Sequence, residues 1–393
     1  MTKLDKVWPA VALAVEESVE QVLCGQRQSE DLAVSVPKLH RKWGARDRRF
    51  FITSLFDLLR YWIRFVRLVD GDYSATDRML IRKALYAMWY SQGKDLALLP
   101  GGPEFSVQRD AEMPNDAWES FPDELAQMLR EEYADTADEI MRVMNEPAKL
   151  CLRVNLLKTS VRKMEEILRQ ADISFTTLDD VPGAIILDKH RNLRDYEWMQ
   201  KGWVEVQDVS SQRLGHFIRP REGSRILDAC AGTGGKSLHL ASLTANRAAI
   251  FATDIYPAKL DMLDRRVKRD GATSVRRLPP DDLHHPGKFD LILLDVPCTG
   301  SGTLRHKPEA KLRLNRQVVE QKIELQRLIV NDNIPRLADG GEIIYSTCSI
   351  FHAENRGQVD FFINKYGLKL LDESVISPLQ GFDGFYMARL GRE

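Results

Sequence analysis

Cysteine is scarce in this chain, and its few cysteines are far apart. No two of them form a CxxC pair, the spacing typical of zinc knuckles, so we expect no bound metal. An odd number at wide spacing does not predict a disulfide framework and fits a reducing compartment, so we expect a cytoplasmic protein. Each cysteine is therefore a candidate for core packing first and for nucleophilic chemistry second. The five are Cys24, Cys151, Cys230, Cys298 and Cys348.

Long apolar runs are also absent. No stretch approaches the roughly 20 residues that a membrane helix needs, so no membrane partner is expected. The nearest candidate, residues 8–15, contains Pro9 and runs directly into two glutamates. The valines Val11, Val15 and Val19 recur at helical spacing, which favours an amphipathic core helix over a signal peptide.

Neither sign of charge dominates, because 56 basic residues face 57 acidic ones and the net charge is −1. The total neither supports nor excludes an RNA partner, since a neutral sum can hide a basic face. Basic residues cluster from Lys38 to Arg49 around Trp43 and Phe50, which makes this segment a candidate RNA surface. The run at 265–269 is interpreted as a solvated helix face. Six further candidates for phosphate contacts are Arg305, His306, Lys307, Lys311, Arg313 and Arg316.

The hydrophobic pattern changes twice along the chain, and 393 residues are too many for one core. Helical periodicity runs to Pro147, and a strand, helix, strand pattern follows it. From Gly223 continuous apolar strands alternate with helices, which indicates a parallel sheet covered on both faces. We therefore predict an all-α domain at 1–147, a small α/β module at 148–205 and a larger α/β domain at 206–393. The strands predicted in the larger domain are 225–227, 248–252, 289–294 and 342–345.

A glycine-rich motif, DACAGTGGKS at 228–237, follows the first of these strands and opens a helix. Its glycines allow the backbone to approach a ligand where a side chain would clash. Asp254 ends the next strand, at a distance where a carboxylate commonly accepts the two hydroxyls of a ribose. Together they predict a nucleoside-containing cofactor. Because dinucleotide dehydrogenases share this arrangement, a nicotinamide-dependent oxidoreductase remains an alternative.

Two cysteine motifs follow the later strands, LLDVPCTGSGT at 293–303 and YSTCS at 345–349. The carboxyl ends of parallel strands meet at one edge of a sheet, so Asp295, Cys298 and Cys348 should converge on one cleft. Core packing would explain a single cysteine at a strand end. Two cysteines beside a nucleoside site favour thiol chemistry instead.

Methylation of cytosine explains why two thiols would be useful. Carbon 5 of the ring is a poor nucleophile until a thiolate adds to carbon 6, after which it can accept a methyl group from a sulfonium donor. The adduct must then lose the carbon 5 proton and expel the thiol. A carboxylate such as Asp295 could hold the base by hydrogen bonding to the ring nitrogen or the exocyclic amine. One thiol attacks and the other assists release, and strand position alone permits either order.

With these motifs the chain resembles the Nol1/Nop2/Sun family of RNA 5-methylcytosine methyltransferases. In layout it is similar to the bacterial Sun, Fmu or RsmB branch, which acts on small-subunit ribosomal RNA. A proline-cysteine motif paired with a threonine-cysteine motif is highly specific to this family. Four further segments contribute to the resemblance: LCLRVNLLKTS at 150–160, GWVEVQDVSSQ at 202–212, LRHKPEAKLRL at 304–314 and DGFYMARL at 383–390.

The resemblance implies a fold, a reaction and a cofactor. The fold is a Rossmann-like class I methyltransferase domain with a mostly parallel seven-stranded sheet, preceded by the α/β module and an all-α NusB-like RNA-binding domain. The reaction is methyl transfer from S-adenosyl-L-methionine to carbon 5 of cytosine in RNA, with 16S rRNA as the expected substrate. We expect the enzyme to act as a monomer.

The resemblance also implies roles for single residues. The nucleophile matches Cys348, the cysteine needed for product release matches Cys298, and Asp295 both closes the cofactor pocket and faces the base. An acid near the adenine matches Asp281 or Asp282. The implied cofactor-binding residues are Cys230, Ala231, Gly232, Thr233, Gly234, Gly235, Lys236, Asp254, Asp281 and Asp295.

The chain departs from the family pattern at two places. The family's cofactor loop has Ala-Pro where this chain has Gly232 and Thr233, and its RRHPD segment reads RHKPE here, at 305–309. A tRNA cytosine-5 methyltransferase is therefore an alternative to an rRNA enzyme. A catalytically inactive RNA-binding assembly factor is another, although the intact cysteines and Asp295 argue against it.

Overall fold

A computed structural model describes residues 6–102, 113–279 and 287–392. The chain forms two compact units, one of Met1–Glu146 with Leu304–Arg316, and one of Pro147–Thr303 with Gln317–Glu393. This grouping differs from the three domains predicted at 1–147, 148–205 and 206–393. The α/β module shares a unit with the large sheet, and a short later segment belongs with the helices. The division of the chain into three functional domains stays a prediction.

The first unit is helical throughout its described residues apart from one isolated bridge between Lys6 and Asp95. The predicted amphipathic helix is present, with Val11, Val15 and Val19 in the core. No helix in the described ranges combines the length and the apolar character needed to cross a membrane. The helices are α1 Pro9–Leu23, α2 Ser29–Leu39, α3 Ala45–Arg60, α4 Trp62–Arg67, α5 Arg78–Ser91, α6 Asn115–Trp118, α7 Asp123–Tyr133 and α8 Ala137–Met144.

The segment Leu304–Arg316 belongs to the helical unit because its polar side chains are buried there. Lys311 is fully buried, and its ammonium group donates to the carbonyl oxygens of Arg60 at 2.7 Å and Glu119 at 3.0 Å. It also donates to Oδ1 of Asn145 at 2.8 Å. Burial lowers the pKa of Lys311 well below its usual value. These neutral acceptors offset the cost of removing an ammonium group from water.

Two of the six predicted phosphate contacts, Arg305 and Lys311, are therefore wrong, because both side chains are buried. Arg305 is buried like Lys311 and donates to the carbonyl oxygen of Val143 at 2.9 Å. Lys307 and Arg316 are exposed at the surface of the same unit. A basic residue in a polar loop usually faces water, so only long-range packing could reveal the difference.

A small antiparallel sheet in the second unit corresponds to the predicted α/β module. Its strand order is β2-β3-β1-β4, and Cys151 on β1 is buried beneath it. Burial raises the pKa of the Cys151 thiol to about 12, so this cysteine has a packing role. The strands are β1 Leu150–Val154, β2 Phe175–Thr177, β3 Ala184–Leu187 and β4 Val204–Val206, accompanied by helices α9 Val161–Gln170 and α10 Glu197–Gln200.

The large sheet has seven strands in the order β10-β11-β9-β8-β5-β6-β7. Strands β9, β8, β5, β6 and β7 are mutually parallel, whereas β11 pairs antiparallel with both β9 and β10. The predicted Rossmann-like, mostly parallel sheet is thus confirmed. Its strands are β5 Arg225–Asp228, β6 Ala249–Ala252, β7 Val275–Arg277, β8 Phe289–Asp295, β9 Leu337–Thr347, β10 Leu368–Ile376 and β11 Phe385–Arg392.

Helices of the second unit accompany the large sheet. They are α11 Val209–Ile218, α12 Gly235–Leu243, α13 Pro257–Asp270, α14 Arg316–Asn333 and α15 Arg356–Tyr366. The carboxyl ends of β5, β6, β8 and β9 meet at one edge, because Asp228 pairs with Ala252 and Leu293 while Asp295 pairs with Ser346. The polar motifs of the sequence all follow these four strands. The site therefore lies at this edge.

Candidate active site

The glycine-rich loop turns sharply between β5 and α12. Gly234 has a φ of +89° and Gly232 a φ of +55°, in the left-handed region that glycine adopts without strain. A Cβ atom on Gly234 would lie 2.1 Å from Cδ1 of Leu263, which is fully buried. The loop therefore needs glycine both for its backbone angles and for its approach to α13.

Asp254 is fixed against this loop by its own hydrogen bonds. The carboxylate is buried and accepts from the backbone N–H of Gly232 at 2.9 Å and of Tyr256 at 2.9 Å. Lys259 lies 3.4 Å from the same side chain. The carboxylate is thus held just beyond the end of β6 beside the glycine turn, and its role as a ribose contact stays a prediction.

Two arginines that the sequence did not identify brace the cofactor loop. Arg266 on α13 donates to the carbonyl oxygen of Thr233 at 2.9 Å and to its hydroxyl at 2.8 Å. Arg153 on β1 is buried and donates to the carbonyl oxygen of Gly235 at 2.7 Å. Burial lowers the pKa of Arg153 to about 9. The interpretation of the whole 265–269 run as a solvated face is wrong for Arg266. A charged residue within an apolar strand was the only sequence signal for Arg153.

A cavity of about 340 Å³ lies between this loop and the end of β8. Most of the predicted cofactor residues lie at this cavity. Gly234 shapes the glycine loop, and Asp254 is hydrogen-bonded to that loop. Asp281 and Asp282 lie outside the described residues. The glycine backbone allows a nucleoside to approach closely, and the carboxylates of Glu205 and Asp295 in the lining fit a cofactor that carries a sulfonium cation. Of the predicted residues, the cavity is lined by Cys230, Ala231, Gly232, Thr233, Gly235, Lys236 and Asp295.

Lys236 and Asp295 form an ion pair at the inner end of the cavity. Nζ of Lys236 lies 2.6 Å from Oδ2 of Asp295, and the Ser346 hydroxyl donates to Oδ1 of Asp295 at 3.1 Å. Burial alone would lower the pKa of Lys236, but the adjacent carboxylate outweighs it and raises the pKa. Asp228, fully buried nearby, has its pKa raised to about 6 by desolvation, although a hydrogen bond from Ser237 opposes this rise. Lys236 and Ser346 thus hold the Asp295 carboxylate in one orientation.

The two motif cysteines meet at the same edge, as their strand positions predicted. The Sγ atoms of Cys298 and Cys348 are 3.4 Å apart, and both side chains are half-buried. The backbone N–H of Gly302 donates to the carbonyl oxygen of Cys348 at 2.9 Å, which joins the two loops. A Cβ atom on residue 302 would lie 2.3 Å from the carbonyl oxygen of Gly384, so the close packing of this loop against Gly384 needs glycine at position 302.

The two thiols are electrostatically unequal. The hydrogen bond with Cys348 raises the pKa of Cys298 well above its usual value, and burial and the nearby Glu354 carboxylate act in the same direction. The Lys236 ammonium group, by contrast, interacts favourably with a negative charge on Cys348. The two sulfurs lie within hydrogen-bond distance of each other, and burial and a negative neighbour at Cys298, against a positive neighbour at Cys348, make their surroundings unequal.

The remaining cysteines do not join this pair. Cys230 lines the cofactor cavity, and burial raises the pKa of its thiol. Cys24 is exposed in the helical unit. Among the five cysteines, the pair of Cys298 and Cys348 alone combines proximity with charged neighbours of both signs.

Comparison with known families gives two matches along the chain. Residues 216–390 match the family described as 16S rRNA methyltransferase RsmB/F. Residues 121–194 match a ferredoxin-like domain described as Methyltr_RsmF/B-like. The first match contains every predicted site residue.

Similar proteins extend the likeness over the whole chain. Ribosomal RNA small subunit methyltransferase B of Yersinia enterocolitica is 31% identical over 295 residues, which cover 70% of this chain and 67% of that protein. The protein of the same name from Salmonella paratyphi A is 28% identical over 437 residues, with 99% of each chain covered.

Solved structures show the same fold. The crystal structure of PH0851 matches with a TM-score of 0.82 over 100% of both chains, at 23% identity. NSun6 from Pyrococcus horikoshii with SFG matches with a TM-score of 0.64 over 70% of this chain and 99% of that one, at 22% identity.

The glycine loop, the fixed carboxylates and the paired cysteines agree with these comparisons. The predicted cofactor is confirmed as S-adenosylmethionine, and the nicotinamide alternative has no support. The predicted resemblance is also confirmed, and the chain belongs to the RsmB/F family of 16S rRNA methyltransferases.

Proposed function

We propose that the protein methylates carbon 5 of cytosine in 16S rRNA through a covalent bond between Cys348 and carbon 6 of the base. The 3.4 Å approach of the Cys298 and Cys348 sulfurs is the observation that supports this most strongly. The two sulfurs lie at strand ends shared with the cofactor loop. S-adenosylmethionine supplies an electrophilic methyl group at that edge when bound. The family and the names of its rRNA-methylating relatives support the substrate.

Cys348 is the attacking thiol in this proposal. Its sulfur lies 3.4 Å from the Cys298 sulfur, and the nearby Lys236 ammonium group would stabilise negative charge on it during the attack. The thiolate adds to carbon 6, and the electron pair of the carbon 5–carbon 6 double bond makes carbon 5 nucleophilic.

Asp295 holds the base during this addition. Lys236 and the Ser346 hydroxyl fix the carboxylate, so its acceptor oxygens are already oriented when the base arrives. An ionised carboxylate accepts a hydrogen bond from the exocyclic amine of cytosine. Uracil carries a carbonyl oxygen there, which would face the carboxylate oxygen with no hydrogen between them, so the same group selects cytosine.

Cys298 acts after methyl transfer. Carbon 5 then carries both a methyl group and a proton, and this proton must leave before the bond between Cys348 and carbon 6 can break. Loss of the proton restores the ring double bond, and the electron pair of the broken bond returns to the Cys348 sulfur. The carbon 5 proton passes to a water molecule, and the Cys298 thiol, 3.4 Å from the Cys348 sulfur, assists the elimination by donating a hydrogen bond to that sulfur as it leaves carbon 6.

The helical unit offers a basic groove for RNA. A cavity of about 650 Å³ is lined by the aromatic rings of Trp8 and Phe50 together with basic side chains. The groove includes part of the predicted RNA surface at Lys38–Arg49, whereas Trp43 is buried and stacked on His40 at 4.1 Å, so its ring belongs to the core. The basic residues of the groove are Lys6, Arg46, Arg49 and Lys94.

We include this groove in the proposal as a contact for RNA outside the target nucleotide. Aromatic rings stack on unpaired bases and cations contact phosphates, so the combination suits single-stranded RNA. The target cytosine itself must leave its stack to reach Cys348. The NusB-like character of the helical unit remains part of the proposal.

Methyl incorporation into defined RNAs tests the proposed function. Purified protein is incubated with radiolabelled S-adenosylmethionine and either 16S rRNA or tRNA, and the product is mapped by bisulfite sequencing. We expect cytosine methylation of 16S rRNA by the native chain and by Cys24→Ala, and a loss of at least about 1,000-fold in Cys348→Ala, since the covalent route is removed. Methylation of tRNA alone would favour the tRNA alternative. No methylation of either RNA would favour the inactive assembly factor.

A further inference from the structure

A fully buried carboxylate, Glu354, joins the two cysteine loops. It lies in a short 3-10 turn, His352–Glu354, between β9 and α15. One of its oxygens, Oε2, accepts from the Thr299 hydroxyl at 2.6 Å and from the Ser349 hydroxyl at 2.5 Å. Thr299 directly follows Cys298, and Ser349 directly follows Cys348. A single oxygen atom therefore connects the neighbours of both thiols.

The other oxygen of Glu354 adds two bonds to the same assembly. Oε1 accepts from the backbone N–H of Thr299 at 2.9 Å and from the Gln326 amide at 3.0 Å. The Tyr345 hydroxyl donates to the carbonyl oxygen of Glu354 at 2.7 Å. All four donors to the carboxylate are neutral, and in the described ranges no cation forms an ion pair with it. The negative charge is thus held by dipoles alone, close to the thiols.

Charged and titratable groups approach the cysteine pair from several elements. Tyr345 on β9 and Glu354 face Cys298, which also contacts Cys348 itself. On the Cys348 side lie Lys236 on α12 and its ion-pair partner Asp295 on β8. A negative neighbour disfavours a thiolate on Cys298, while a positive neighbour favours one on Cys348.

We propose that Glu354 is a positioning residue that keeps Cys298 as a neutral thiol and so makes Cys348 the attacking sulfur. This rests on the proposed function and deepens it, because family resemblance assigns the two roles without a physical cause. Glu354 acts in two ways: its hydrogen bonds join the two loops, and its charge adds to the effects of the Cys348 contact and of burial, which also disfavour a thiolate on Cys298.

The substitution Glu354→Gln separates these two actions. The amide oxygen can still accept from the Thr299 N–H and from Gln326, and the amide NH₂ can donate to the Thr299 and Ser349 hydroxyls after they rotate. The shape is kept while the charge is lost. Ser349→Ala is the converse variant, since it removes the hydroxyl that bonds to Glu354, Thr299, Ser301 and the Phe351 N–H and leaves the charge of Glu354 in place.

The measurement is the rate of alkylation of each cysteine by iodoacetamide, mapped by mass spectrometry on the full chain without RNA across a range of pH. In Glu354→Gln we expect the pH midpoint for Cys298 to fall by about one unit, which is about tenfold more thiolate at a given pH. The preference for Cys348 over Cys298 should fall by a similar factor. Ser349→Ala should leave the Cys298 midpoint in place.

A matched control is Glu309→Gln in the helical unit. Glu309 is also a buried carboxylate that accepts a hydrogen bond from a serine, Ser29, at 2.7 Å, but it lies in the other compact unit. Loss of the Glu309 charge should change the alkylation midpoint of neither cysteine.

Kinetics give a second measurement on Glu354→Gln. Since this variant retains the hydrogen bonds of the fold, its kcat should fall about tenfold while the KM for S-adenosylmethionine stays constant.

Two results would overturn the proposal. One is an unchanged Cys298 midpoint in Glu354→Gln, because the carboxylate would then have a structural role only. The other needs no variant: in the native chain, Cys298 must be alkylated at a higher pH midpoint than Cys348, and equal midpoints would refute the assignment. Because alkylation requires no RNA, a chain that methylates no RNA would refute the proposed function and leave this test intact.

Discussion

Substitution of Gly234 by alanine should destabilise the sheet unit and weaken cofactor binding together. The added Cβ would lie 2.1 Å from Cδ1 of Leu263, a fully buried side chain that can move only by disturbing the core around it. Overpacking of this kind costs about 1–3 kcal/mol. The φ of +89° adds about 1–2 kcal/mol, because alanine rarely adopts left-handed angles. We therefore expect a loss of about 2–5 kcal/mol in the free energy of unfolding.

The matched control is Gly367→Ala, in the same unit. Gly367 also has a positive φ, +63°, but no atom lies within 4 Å of the position its Cβ would take. It should show the backbone cost of about 1–2 kcal/mol and no effect on the cofactor. Urea denaturation gives the stabilities, and isothermal titration with S-adenosylmethionine gives the affinities. Equal stability losses in the two variants would refute the argument that contact with Leu263 shapes the loop.

Two further variants test the chemistry and the electrostatics of the strand ends. Cys298→Ala should accumulate a denaturation-resistant adduct between protein and RNA on a gel, because the bond to Cys348 forms but is not released; an adduct that persists when Cys348 is also replaced would contradict this. Asp228→Asn should stabilise the protein by about 2–3 kcal/mol at pH 7.5. The native carboxyl has its pKa raised from 3.8 to about 6 by burial. Its ionisation therefore lowers the free energy of unfolding as the pH rises between these two values, and asparagine avoids that cost. Below about pH 3.8 the side chain is neutral in both proteins, so their stabilities in urea denaturation should be equal. A stability gain of Asp228→Asn that grew on acidification would contradict this prediction.

Much of the site could be predicted because its residues lie in short motifs at the ends of apolar strands. Asp254, Asp295, Cys298 and Cys348 each follow such a strand directly, and parallel strands bring their ends together whatever the rest of the chain does. The glycine loop was recognisable for the same reason, since its conformation depends mainly on Gly232 and Gly234 themselves.

The supporting residues could not be predicted, because their partners are far away in the sequence. Arg266 contacts Thr233, and Glu354 contacts Thr299, through side chains that a helical pattern would place at the surface. The edge strand β10 was missed because its side chains alternate between half-buried and exposed and include charged residues such as Lys369 and Glu373. In our proposal the order of attack of the two cysteines depends on Lys236 and Glu354, whose approach to the cysteines only the three-dimensional structure reveals.

The buried Lys311 has a consequence for the order in which the chain can fold during synthesis. Its three acceptors, on Arg60, Glu119 and Asn145, leave the ribosome long before it does. Domains usually fold from the N-terminus onward as they emerge, but this helical unit is discontinuous and includes residues 304–316. It therefore cannot satisfy its buried carbonyl groups until the strands up to β8 have also been made. We infer that the helices of this unit stay partly folded during synthesis until residues 304–316, which follow the Cys298 loop, have been made.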